Sequence, residues 1–296
     1  MSAPTVYLID ASVQIFRAWF SIPPDFTDPD GRPTNAVYGF SGFLCGLLEQ
    51  QRPSHIALAF DESLSESFRN DIYPDYKANR EPAPEELKRQ FAWCRQLGTA
   101  LGVPCYGHKR YEADDLIGTL ASYWRMQGHP VCIITSDKDL TQLLEEGDTW
   151  WDIARRKRLD SQAVEAQFGV PPQLIADFLA LTGDSIDNIP GIPGVGPKTA
   201  ARLLQHFGSW NALWSGLDQV PGITMRGAAS VARKLHEHRE VAWLARQLTG
   251  INTEVPEVLV DPRAERGGAQ GDAIEALFDQ LGFGNLLRRR CLALCS

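Results

Sequence analysis

Val6-Tyr7-Leu8-Ile9 is a short apolar run that ends at Asp10. His55-Ile56-Ala57-Leu58-Ala59-Phe60 is a second, ending at Asp61, and Val131-Cys132-Ile133-Ile134-Thr135 is a third, followed by Ser136-Asp137. Near-continuous apolar runs of this length fit strands covered on both faces. Helical stretches lie between them, at residues 37–50 and 84–101. Strands alternating with helices imply a mostly parallel sheet with right-handed crossovers. Ligands in such sheets collect at the carboxyl ends of the strands, where Asp10, Asp61 and Asp137 fall. An Asp after a strand can also cap the next helix. For one acid the two readings stand level; for the set, capping is the poorer account.

More acids punctuate the chain. Glu112-Ala113-Asp114-Asp115 opens a helix through Leu116 and Leu120. Glu112 and Asp115 share a face, with Asp114 beside it. The helix dipole favours acids at that end, but three in four positions exceed what a cap needs. Asp137 and Asp139 form a further pair, as do Asp184 and Asp187 in the turn Thr182-Gly183-Asp184-Ser185-Ile186-Asp187-Asn188. That turn lacks the ligand spacing of an EF-hand loop. Asp10 is followed by Ala11-Ser12, so the D-x-D nucleophile of aspartyl-phosphate enzymes is absent too. Gathering nine carboxylates is unfavourable unless cations neutralise them. Hard oxygen donors suit Mg²⁺ or Mn²⁺, which points to metal-dependent phosphodiester hydrolysis.

A second module begins near residue 176. Its centre is Pro190-Gly191-Ile192-Pro193-Gly194-Val195-Gly196-Pro197-Lys198-Thr199-Ala200, followed by a helix over residues 201–207. Gly194 and Gly196 let backbone N–H groups approach an anion, Thr199 and the helix start add donors, and Lys198 adds a charge. Such a hairpin grips a DNA backbone without reading bases. Residues 62–90 differ again: Ser63, Ser65 and Ser67 open a polar segment carrying Phe68-Arg69 and Tyr73-Pro74-Asp75-Tyr76-Lys77-Ala78-Asn79-Arg80. Tyr73 and Tyr76 beside Arg69, Lys77 and Arg80 suit contact with single-stranded nucleic acid. A solvated loop is the bland alternative.

Composition adjusts this picture little. The chain has 296 residues, enough for one large domain and a smaller one. The net charge of −8 argues weakly against a nucleic-acid partner, less so if metal ions hold the acids. None of the six cysteines forms a C-x-x-C pair, so zinc is disfavoured and reduced cysteines are expected. No signal peptide or membrane-spanning run is seen, and a soluble cytoplasmic protein is expected.

Taken in order, Tyr7-Leu8-Ile9-Asp10, Ala36-Val37-Tyr38-Gly39-Phe40, Phe60-Asp61, Tyr76-Lys77-Ala78-Asn79-Arg80, Tyr111-Glu112-Ala113-Asp114-Asp115, Thr135-Ser136-Asp137-Lys138-Asp139-Leu140, and Leu181-Thr182-Gly183-Asp184 through Gly196-Pro197-Lys198-Thr199-Ala200 resemble the 5′-nuclease family. The resemblance is nearest to the 5′→3′ exonuclease domain of bacterial DNA polymerase I. It implies a PIN-like α/β fold with a helical arch and a C-terminal helix-hairpin-helix (helix–three-turn–helix) module. The implied divisions are a nuclease core over residues 1–175 with an arch at 62–90, a hairpin module over 176–250, and a segment over 251–296 that packs back on the core.

The resemblance also implies two metal sites. Asp10, Asp61, Glu112, Asp114 and Asp115 match the first; Asp137, Asp139, Asp184 and Asp187 match the second, with sharing between the sets. Two Mg²⁺ ions, replaceable by Mn²⁺, would activate water and stabilise the leaving 3′-oxygen. Lys77 and Arg80 are assigned to the scissile phosphate, and Arg17 near it. The implied substrate is branched or nicked DNA with a free 5′ end, including RNA-primed fragments, in replication or repair. A monomer, a nucleoid-associated bacterial location, a polymerase partner and a K⁺ ion at the hairpin complete the implied picture.

Two other functions compete: a PIN-type ribonuclease, which would need neither hairpin module nor arch, and a non-catalytic binder of branched DNA, which gains nothing from acids beside phosphate. Arg288-Arg289-Arg290 could dock a clamp or polymerase, but a helix end complementing its dipole is the simpler reading.

Overall fold

Each of the three apolar runs forms a strand. A computed structural model describes residues 3–63 and 66–295; Ser65 lies outside the described residues. The chain divides into two units. One comprises Met1–Glu62, Pro82–Ser136 and Thr253–Ser296, the other Ser63–Glu81 and Asp137–Asn252.

In the first unit β1 (Val6–Asp10), β2 (His55–Asp61), β3 (Cys105–His108) and β4 (Val131–Ile134) lie in the order β3-β2-β1-β4, all parallel. Val6 stands opposite both His55 and Val131 in the register. The chain builds outward from β1 through β2 to β3, then returns to the other side of β1 for β4. The order reverses between β1 and β4, the point at which open α/β sheets bind ligands at the carboxyl ends of their strands. The strands are buried because helices cover them, which is why their sequences run apolar without alternation. The Asn35–Gln51 helix contributes Phe40, Leu44 and Leu48, one helical face of the core. This is the α/β, mostly parallel architecture expected from the sequence. β3 was not legible, because its four residues Cys105-Tyr106-Gly107-His108 are half-exposed at a sheet edge.

The cysteines require a correction. Cys45 and Cys291, both buried, form a disulfide across 246 residues with a Cα–Cα distance of 5.9 Å. It joins the Asn35–Gln51 helix to the Asn285–Leu292 helix, whose Arg290 also makes a two-pronged ion pair with Glu49 at 3.0 and 2.7 Å. A pairing between distant helices leaves no spacing signature. Arg288 pairs with Asp279, so two of the three consecutive arginines are engaged within the unit.

In the second unit the helices Ile175–Thr182, Pro197–Phe207, Trp210–Ser215, Ala228–Glu237 and Arg239–Thr249 follow an antiparallel pair, β5 (Thr149–Asp152) and β6 (Lys157–Leu159). Within Ser63–Glu81 a helix covers Phe68–Ile72. Arg69, expected from the sequence to face nucleic acid, is instead 3% exposed and donates to the carbonyls of Leu248 and Gly250 at 2.9 and 2.8 Å. It caps the end of the Arg239–Thr249 helix, where unpaired carbonyls favour a cation. Among the described residues no helix is long and apolar enough to cross a membrane.

Candidate active site

In the first unit the acids gather at strand ends and at the start of one helix. Asp10 ends β1 and caps the Ala11–Ser21 helix, its Oδ1 accepting from Val13 N at 3.0 Å. Its Oδ2 accepts from Thr135 Oγ at 2.9 Å, just past β4 and so where the strand order reverses. Asp61 ends β2; its Oδ1 accepts from Ala113 N at 2.9 Å, and its own N–H donates to Ser12 Oγ at 2.9 Å. Glu112 and Asp115 form a reciprocal capping box at the start of the Ala113–Met126 helix. Asp115 is fully buried, Glu112 nearly so, and Asp114 half-buried. Capping and clustering are thus one arrangement: the donors that satisfy these acids also fix their directions. Ser12 and Thr135 were not singled out in the sequence; a small hydroxyl within two positions of a strand-end acid is the signal they carried. Arg17, half-buried on the first helix, donates to Gln14 Oε1 at 3.1 Å.

The second unit holds the remaining acids among cations. Asp184 is buried in a tight turn, where its backbone N–H and C=O bond to Ile189 at 3.0 and 2.8 Å. Gly183 (φ 75°) and Gly191 pass so closely that a side chain on either would strike the other's backbone. Asp184 Oδ2 takes a 2.7 Å hydrogen bond from Lys138, which stands 3.5 Å from Asp139 Oδ1. Burial opposes charge on Asp184, but Lys138 and the N–H groups of Ile186 and Asp187 outweigh it and hold its carboxyl below the usual range. Burial and the neighbouring Asp137 carboxylate push Asp139 up to about 7. Burial chiefly raises Asp137 as well. Asp139 Oδ1 is buried and accepts no hydrogen bond among the described residues.

Asp187 meets the cations of the preceding segment. Arg80 Nη2 bonds its Oδ1, and Lys77 Nζ lies 3.7 Å from its Oδ2. Lys77 N donates to Asp187 O at 3.0 Å, Asn79 Nδ2 to Ser185 O at 2.9 Å, and Asn188 Nδ2 to Asp75 O at 2.7 Å. These bonds stitch residues 75–80 to the 184–188 turn. Tyr76, expected from the sequence to stack on DNA, is buried with its hydroxyl 3.4 Å from Asp187 Oδ2 and its ring 5.0 Å from Lys77 Nζ. Tyr73 is half-buried. Gly194, Gly196 and Lys198 are exposed, and Thr199 is half-buried one turn into the Pro197–Phe207 helix, which Gly196 caps.

Among the described residues no three acidic, His or Cys side chains close tightly enough to hold a metal ion. Protein donors and cations hold the acids instead. The donor chemistry still suits a hard divalent cation. Every candidate is a carboxylate, one buried carboxylate oxygen lacks a hydrogen bond, and two neighbouring acids resist ionising together.

Comparisons with known proteins give the family and the fold. Residues 5–169 match the model of the 5′-3′ exonuclease N-terminal resolvase-like domain, and residues 170–266 that of the 5′-3′ exonuclease C-terminal SAM fold. DNA polymerase I of Pseudomonas aeruginosa is 41% identical over 288 residues, which cover 97% of this chain and 31% of the relative. DNA polymerase I of Bacillus caldotenax is 38% identical, covering 95% and 32%. The chain thus spans about a third of the length of these relatives. Among solved structures, T5 5′-exonuclease with bound zinc aligns with a TM-score of 0.68 at 20% identity, covering 99% of this chain and all of the other. The catalytic core of Rad2 in complex with DNA substrate aligns at 0.64 and 15% identity, covering 98% and 92%. At such identities the structural likeness speaks for the fold.

Proposed function

The chain belongs to the 5′-3′ exonuclease family, and from that premise we propose that it is a divalent-metal-dependent 5′→3′ exonuclease and flap endonuclease acting on branched or nicked DNA. The observation that carries the reading is the placement of Asp10 and Asp61 at the ends of adjacent strands, beside the acidic start of the Ala113–Met126 helix. The Asp10 carboxylate is fixed there by Val13 N and Thr135 Oγ, and the Asp61 carboxylate by Ala113 N, so both negative charges are held at the carboxyl ends of the strands.

Asp10, Asp61, Glu112, Asp114 and Asp115 would hold metal in the first unit, and Asp137, Asp139, Asp184 and Asp187 in the second. Divalent ions supply a deprotonated water at neutral pH and neutralise charge on the phosphoryl oxygens. The chain's own contribution is orientation and fixed charge. Lys77 and Arg80 are held by Asp187 in a defined place, so their cations are preorganised for a phosphoryl oxygen rather than free in solvent. Arg17 adds a further cation in the first unit. Tyr73 would contact the single strand, and Gly194, Gly196, Lys198 and Thr199 would hold duplex backbone through N–H groups and charge. Mg²⁺ is the proposed metal, with action in replication or repair alongside a polymerase.

The test is cleavage of a 5′-labelled flap substrate with Mg²⁺, with and without EDTA. Release of the flap only with metal supports the reading. Tight binding without cleavage, in Mg²⁺ and Mn²⁺ alike, overturns it in favour of a branched-DNA binder.

A further inference from the structure

The hairpin string occurs twice. Pro190-Gly191-Ile192, Gly196, Ala201-Arg202 and Leu204 recur 31 positions later as Pro221-Gly222-Ile223, Gly227, Ala232-Arg233 and Leu235. The structure repeats with the sequence. Gly196 and Gly227 both stand at helix N-caps, opening Pro197–Phe207 and Ala228–Glu237. Ile192 and Ile223 are both buried, and Leu204 and Leu235 are both fully buried. The same apolar positions therefore hold each hairpin onto its own helix.

The copies differ where an anion would be held. Gly194 of the first is Met225 in the second, and Lys198 is Ala229. The second hairpin has thus lost the glycine and the lysine that would serve a phosphate. It has gained a cation elsewhere. Leu203, fully buried in the first helix, corresponds to Lys234 in the second. Lys234 is half-buried and extends onto the first hairpin, where its Nζ occupies the space a Cβ at Gly194 would need. Among the described residues the Lys234 ammonium makes no ion pair or hydrogen bond, although its backbone carbonyl accepts from His238 N. An ammonium held against a glycine loop, with no carboxylate beside it, is poised for an anion. Gly194 is left-handed (φ 78°), so its absent side chain serves both the turn and the approach of Lys234.

We propose that the second repeat serves the first: Lys234 crosses from the Ala228–Glu237 helix to the Gly194 loop and, with Lys198, binds a phosphate of duplex DNA backbone. This rests on the proposed role of the hairpin on DNA. The contact reads no sequence, because it reaches only phosphate.

The experiment measures binding of the full chain to a blunt duplex without a flap, in EDTA, by fluorescence anisotropy over a salt series. The variants are Lys234→Gln, Lys234→Leu, Lys234→Arg and Lys198→Gln, each checked for an unchanged melting temperature. Lys234→Gln should weaken binding several-fold and flatten the slope of log affinity against log salt by about 0.9, the value for one lost phosphate contact on duplex DNA. Lys198→Gln should do the same, and Lys234→Arg should restore the slope. Lys234→Leu, which installs the residue of the first repeat, should match Lys234→Gln; if one of these two misfolds, the other carries the test. A reduced slope in Lys198→Gln with an unchanged slope in Lys234→Gln overturns the inference and leaves the hairpin's role standing. Failure of the unsubstituted protein to bind duplex overturns the functional reading itself and this inference with it.

Discussion

Lys77 and Asp187 meet twice: the backbone N–H of Lys77 donates to the carbonyl of Asp187 at 3.0 Å, and its ammonium lies 3.7 Å from the Asp187 carboxylate. Lys77 is also one of four non-glycine residues with positive φ among those described, at 55°. A residue held in that sparsely populated region is over-determined by its surroundings. The lysine is thereby placed by its backbone and its charge together, 110 residues from its partner in sequence.

Such a fixed cation should act on the reaction more than on binding. Lys77→Ala is expected to lower single-turnover cleavage by about 100-fold or more, the usual effect of removing one preorganised donor. Flap affinity in EDTA should change by only a few-fold. Equal losses in rate and affinity would contradict the role.

Asp61 holds the Ala113–Met126 helix through Ala113 N, so a truncation would disturb both fold and chemistry. Asp61→Asn keeps an oxygen acceptor for that N–H and removes only the charge. Cleavage with Mg²⁺ should be abolished, flap binding in EDTA retained, and the melting temperature in EDTA little changed. Mg²⁺ should raise the melting temperature of the unsubstituted protein more than that of Asp61→Asn, because a ligand of the folded state stabilises by mass action. Undiminished cleavage by the variant would sink the metal assignment.

Arg69 is a structural residue by its contacts. Arg69→Ala leaves two carbonyls at the end of the Arg239–Thr249 helix without their buried donor. The expected cost is about 3–6 kcal/mol, since two hydrogen bonds to a charged group are lost and each is worth about 1.5–3 kcal/mol. Denaturant unfolding measures it. A change within error would return Arg69 to the pool of candidate nucleic-acid contacts.

The Cys45–Cys291 disulfide closes a long loop and should matter to stability rather than to chemistry. Reduction, or Cys45→Ser together with Cys291→Ser, should lower stability by about 2–5 kcal/mol. Thermal melting with and without reductant, with free-thiol counting in parallel, reads the effect. Six reactive thiols in the unreduced, unfolded protein would refute the bond.

By itself the sequence determined the strand–helix alternation, the three interior strands and the acids at their ends. Burial on both faces writes a strand as an unbroken apolar run, and a charge after such a run has few structural reasons to be there. The family was legible for the same reason: the acids sit in short, ordered strings that ordinary surface charge does not form. β3 escaped because an edge strand buries too little to leave a pattern, and β5 and β6 are short as well. Whether a given polar residue faces solvent or partner was decided only by tertiary structure. Arg69 and Tyr76 read as contacts for nucleic acid, yet a helix end and a carboxylate claim them. Cys45 met Cys291, Lys77 met Asp187, and Lys234 came to lie on Gly194 because packing brings together residues that no local period relates. Local sequence encodes which backbone a segment prefers and which face it buries; the partner of each polar group is a property of the whole chain, set when burial leaves it one place to satisfy its charge or hydrogen bond.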